Sequence, residues 1–153
     1  MITIGLSLAL LAAHVAPDPV RVGAWLVGPL DDASCQAETH FGGNYLVNIS
    51  EDATGRGLFV FGDDRWLLKD GDTKPATLSW DGWKTTAEAS FAAVRTDNGS
   101  SYLVMETDAG FTENLAGAKH LWLRIPGVDF DDDLDIPDAP DLVTAIAACN
   151  GNH

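Results

Sequence analysis

Leu78-Ser79-Trp80-Asp81-Gly82-Trp83 and, further on, Thr96-Asp97-Asn98-Gly99-Ser100-Ser101-Tyr102 decide the fold class. Each stretch sets strand-forming residues on both sides of a dipeptide, Asp81-Gly82 or Asn98-Gly99, that tolerates positive φ. Type I′ turns need positive φ at both central residues, so such pairs are the strongest short-range signal for a β-hairpin. The reading places 78–80 against Trp83, and 84–95 against 102–105. In a two-residue loop Trp80 and Trp83 face each other directly across the strands.

Working outward, short apolar runs separated by Gly, Asp and Asn continue the pattern. They lie at 22–27, 45–49, 58–61 and 66–68, with Gly62-Asp63-Asp64 as a turn between the last two. A later run, 120–125, alternates Leu121, Leu123 and Ile125 against His120, Trp122 and Arg124. Helical spacing appears only towards the end. Asp108 suits the N-cap of a short helix near 109–118 that carries Phe111, Leu115 and Ala118. A second helix near 138–149 has Pro140 in its first turn and an apolar stripe of Leu142, Val143 and Ile146. Strands first and helices late predict an α+β domain, mainly an antiparallel meander forming a sandwich or barrel-like sheet.

At 153 residues the chain is long enough for one well-filled core and short for two. Its first sixteen residues, MITIGLSLALLAAHVA, contain no Asp, Glu, Lys or Arg and end in small residues before Pro17. They read as a signal peptide, 1–16, ahead of a single β-rich domain, 17–153. The apolar run is shorter than the roughly 20 residues a spanning helix needs, so no membrane span is expected once the leader is cleaved. The alternative is a buried N-terminal strand or helix. Two cysteines, Cys35 and Cys149, make up the whole complement. An even count in an exported chain reads as a disulfide, and in a retained chain as two buried thiols. No CxxC spacing offers a redox motif or a zinc knuckle.

Several further residues form a recognisable series. Trp25 in the first run is followed by Cys35, then by Phe41-Gly42-Gly43 before a Leu-bearing strand. Trp66 precedes Lys69-Asp70-Gly71, and the last helix ends in Cys149. The series resembles small exported alphaproteobacterial proteins of the invasion-associated locus B type. That resemblance implies a periplasmic, β-rich, disulfide-bonded domain and assigns no catalytic residue.

Function is less legible. Nine basic residues against 23 acidic ones give a formal charge of −14, which repels a phosphate backbone and disfavours nucleic acid. The acid is concentrated in Val128-Asp129-Phe130-Asp131-Asp132-Asp133-Leu134-Asp135. If extended, that stretch puts Asp129, Asp131, Asp133 and Asp135 on one face. The row is a candidate contact for a cation or a basic partner, weighed against a solvated edge strand protected by charge. The EF-hand pattern fails, with Leu134 where its loop needs Gly, so no metal or cofactor is assigned. Trp80 and Trp83 are a candidate stacking platform for a sugar ring, weighed against a pair that staples its own hairpin. His40 and His120 lie outside any catalytic pattern, and Gly-x-Ser-x-Gly, His-Glu-x-x-His and P-loop spacings are absent. The expectation is a non-enzymatic periplasmic or secreted binding module for a basic protein or a cell-envelope component. Its concrete form is an inhibitor or immunity protein against a cationic enzyme. A structural or virulence-associated envelope protein and a cation-dependent hydrolase are the alternatives.

Overall fold

A computed structural model describes residues 18–151, so the leader expected at 1–16 lies outside the described residues. The Asn98-Gly99 hairpin is present, with Arg95 opposite Ser101. Its loop is longer than the dipeptide alone implies. The Gly99 N–H bonds the Thr96 carbonyl at 2.9 Å, and Gly99 takes φ 87°, a left-handed value that glycine adopts without strain.

Ten strands and two helices follow in the order β1 (Val20–Val22), β2 (Trp25–Pro29), β3 (Ser34–Phe41), β4 (Tyr45–Asp52), β5 (Gly57–Asp63), β6 (Thr73–Ser79), β7 (Ala87–Arg95), β8 (Ser101–Thr107), α1 (Ala109–Gly117), β9 (His120–Ile125), β10 (Phe130–Asp135) and α2 (Ala139–Asn150). All strands join one antiparallel sheet in the order β1-β2-β3-β4-β5-β8-β7-β6-β9-β10. The α+β class, the barrel-like sheet and both helices agree with the sequence. A simple meander does not. It holds from β1 to β5, after which residues 64–72 cross two intervening strands to start β6.

That crossing explains why 66–68, read as a strand, is not one. Leu68 N–H donates to Ser101 Oγ at 3.1 Å, and Gly71 N–H to the Ala93 carbonyl at 2.9 Å. The segment spends its hydrogen bonds crossing the ends of β8 and β7 instead of joining a ladder. The run 22–27 is also not one strand. Gly23, at φ 56°, folds it into the β1–β2 hairpin with Val22 opposite Trp25. Glycine at the first central position of a two-residue loop is the signature of a type II′ turn.

The Asp81-Gly82 hairpin departs most from expectation. Leu78 pairs with Ala87, so the connection is long and Trp80 and Trp83 do not face each other. The cause is local. Ser79 Oγ accepts the Trp83 N–H at 2.9 Å and donates to Asp81 Oδ1, which also accepts the Thr85 N–H at 2.8 Å. These side-chain oxygens capture donors that a tight ladder would otherwise use.

The sheet curls around one core. Phe59, Phe61, Phe91, Leu103, Leu121 and Leu123 are fully buried. Phe130 on β10 meets Phe61 of β5 at 4.7 Å and Tyr45 of β4 at 5.1 Å between ring centroids, although these strands lie far apart in sheet order. Helix α2 packs on β1–β4 and against α1, burying Leu142 and Ile146. Cys35 at the start of β3 bonds Cys149 near the end of α2, across a sequence separation of 114 and with Cα atoms 6.1 Å apart. Asn150 adds a hydrogen bond from Nδ2 to the Glu51 carbonyl at 3.0 Å. No helix among the described residues is long and apolar enough to cross a membrane.

Candidate binding surface

The alternation of β9 positions the surface. Leu121, Leu123 and Ile125 point into the core, which leaves His120, Trp122 and Arg124 outside. Strand β10, at the end of the sheet order, lies against β9 with Asp131 opposite Arg124, Asp133 opposite Trp122 and Asp135 opposite His120. The extended reading of the acidic stretch therefore has the correct phase. Phe130 and Leu134 are buried, while Asp131, Asp133 and Asp135 face out. Asp129 does not join them. It follows a 3-10 turn, Pro126–Val128, and sits in the left-handed region at φ 54° before the strand begins.

The carboxylates are partly matched by side chains of β9. Arg124 Nε donates to Asp131 Oδ2 at 3.0 Å, and its guanidinium carbon lies 4.6 Å from the centroid of the Trp83 ring. His120 Nδ1 is 2.7 Å from Asp133 Oδ2 and 3.9 Å from Asp135 Oδ1, with its ring centroid 5.1 Å from that of Trp122. Both pairs are exposed, so screening keeps each within about 1 kcal/mol. The result is a ladder of alternating charge and indole. Asp129 and Asp132, outside these contacts, add negative charge along the edge.

The two tryptophans of the expected platform go to opposite sides of their loop. Trp83 lies outside, under Arg124. Trp80 turns inward and meets Phe111 of α1 edge-on at 5.2 Å. His40 is exposed on β3, away from His120. Among the described residues, no group of three or more His, Cys, Asp or Glu is placed to share a metal ion.

One charged group escaped sequence reading. Asp63 looked like an exposed turn residue, yet it is 2% exposed. It accepts the Arg65 N–H at 2.9 Å and Arg65 Nε at 2.8 Å. The bond to the Arg65 side chain holds its carboxyl below the usual carboxylate range, against the opposing effect of burial. Nothing in the run Gly62-Asp63-Asp64 distinguishes this Asp from its exposed neighbour.

No protein-family model and no curated protein matches the chain. Among solved structures it is similar to the crystal structure of invasion associated protein B from Bartonella henselae. The TM-score is 0.59 at 14% identity, covering 90% of this chain and 100% of that one. The likeness is one of fold. The sheet and the Cys35–Cys149 bridge agree with the resemblance drawn from Trp25, Cys35, Trp66 and Cys149.

Proposed function

We propose that the protein is a non-enzymatic binding module of the periplasm or the secreted fraction, taking a basic protein as its partner on the outer face of β9 and β10. The observation that carries this reading is the exposed row Asp131, Asp133 and Asp135 on a terminal strand, with side-chain exposures of 57%, 38% and 69%. On a chain of charge −14, such a row steers a cationic partner and rejects acidic ones. Trp122 beside it supplies apolar contact area of the kind that anchors interfaces. An inhibitor or immunity protein against a cationic envelope-degrading enzyme is the concrete form of the proposal. The disulfide supports an oxidising compartment.

A second reading, a virulence-associated envelope protein, is favoured by the name of the structural neighbour, invasion associated protein B. One binding experiment tests the proposed surface. Hen lysozyme serves as a cationic, wall-degrading probe, with association followed at low and high salt. The triple variant Asp131→Asn, Asp133→Asn, Asp135→Asn is expected to associate about tenfold more slowly at low salt, with its melting temperature nearly unchanged. Equal association rates for variant and wild type would refute the proposed surface.

A further inference from the structure

The inward side of the loop that carries Trp83 outward holds a second feature. A cleft of about 310 Å³ opens between the β6–β7 connection and α1. Leu78 forms its floor, Trp80 its wall, and Asp81, Thr85, Thr86 and Asn114 its rim. The volume sits at the lower end of the usual range for small-molecule sites, enough for one ring.

Its walls are held in place before any ligand arrives. The edge-on contact with Phe111 fixes the plane of the Trp80 indole. Ser79 and Asp81 tie the loop through the bonds to Trp83 and Thr85 already described. Trp83 itself is held at φ 70°, and Trp83 and Asp129 are the non-glycine residues at positive φ among the described residues.

The lining chemistry narrows the ligand. No Lys or Arg lines the cleft, and the Thr85 N–H holds the Asp81 carboxyl below its ordinary range, so the rim stays anionic at neutral pH. An anionic ligand would meet only repulsion there. What remains is the Trp80 indole beside hydroxyl and amide groups that both donate and accept and a carboxylate that accepts. A pyranose ring has the complementary surface, with an apolar C–H face and a hydroxyl edge.

We propose that this cleft binds a single neutral sugar ring, its C–H face stacked on Trp80 and its hydroxyls bonded to Asn114, Thr86 and Asp81. The site is separate from the acidic edge, and either can stand without the other.

The test is an NMR titration of the folded, disulfide-bonded protein, following the five indole N–H signals. The probes are N-acetylglucosamine, glucose and tetramethylammonium chloride. The expected result is a saturable shift of the Trp80 signal with at least one sugar, at millimolar affinity. Asn114→Ala, at an exposed helix position, should weaken that binding several-fold while leaving the melting temperature unchanged. Trp80→Ala would remove the reporting signal and a packing contact together, so the Asn114 variant decides. No saturable shift with either sugar overturns the proposal. So does saturation by tetramethylammonium alone, which would mark an organic-cation site. A shift confined to Trp83 or Trp122, or sugar binding that Asn114→Ala leaves intact, would place the ligand elsewhere and overturn it too.

Discussion

Opening the Cys35–Cys149 bond tests how much of the stability rests on tying α2 to β3. A sequence separation of 114 closes a loop of about 115 residues in the unfolded chain. The chain-entropy relation gives about 16 cal/mol/K for that loop, or about 4.8 kcal/mol at 25 °C. Measured losses commonly fall somewhat short of this bound, so the expected cost is about 3–5 kcal/mol. Against a usual domain stability of about 5–15 kcal/mol, that is a large share. The assay is urea unfolding of the oxidised protein and of protein reduced while denatured and then refolded under reductant. This comparison holds every other side chain constant. With a slope of about 2 kcal/mol/M, the midpoint should fall by about 1.5–2.5 M. The slope should also steepen, because an uncrosslinked unfolded chain exposes more surface. A midpoint within about 0.5 M of the oxidised form would refute the reasoning, since it would mean that the bond removes little entropy from the unfolded chain.

Other expectations concern single sites. Asp63→Asn should lose about 1.5 kcal/mol at neutral pH, towards the low end for a charge-assisted bond because exposed Arg65 regains water. The Asp63 carboxyl titrates lower in the folded state than in the unfolded one. Its stabilisation is therefore complete above about pH 4 and is lost as pH falls through the lowered folded value; urea midpoints across the acid range should show a shallower slope in the variant. Asp131→Asn and Asp133→Asn should each change stability by less than about 1 kcal/mol, an effect that shrinks in high salt. Gly99→Val should cost about 1 kcal/mol or more, because nothing crowds the position and only its positive φ resists a side chain; thermal melts decide. Leu67, 85% exposed, should tolerate serine within about 0.5 kcal/mol, whereas buried Leu103→Ala should lose about 2–5 kcal/mol.

Sequence reading succeeded where a local rule acts alone. Asp108 caps α1 through a bond from the Phe111 N–H, as its position implied, and the alternation of β9 and β10 put the right residues inside. It failed where a distant partner overrides the local pattern. Trp66 looks like a strand residue, yet it is drawn under the sheet by Phe61 and Tyr45 at centroid distances of 5.7 and 6.3 Å. Asp81-Gly82 carries the strongest hairpin signal in the chain, but Ser79 diverts the donors the turn needs, and Ser79 pairs with Trp122 of β9 instead. Gly23 is legible as a break, since a glycine inside an apolar run interrupts a strand. The match of Arg124 and His120 to the acidic row could not be read at all. It depends on the register of β9 with β10, which residue spacing alone leaves open.

The placement of the bond also bears on synthesis. A chain emerges from its amino end, and Cys149 lies in α2, which follows all ten strands in chain order. Cys35 must therefore stay a thiol until almost the entire domain has appeared, through the period when β1–β5 can already pair. With two cysteines in the chain, a wrong bridge cannot form within one molecule. The error open to it is a bond between two copies, and that hazard grows with crowding of half-made chains. Closure of the bond thus reports the arrival of α2, because a chain truncated before that helix lacks the Cys149 thiol that Cys35 pairs with.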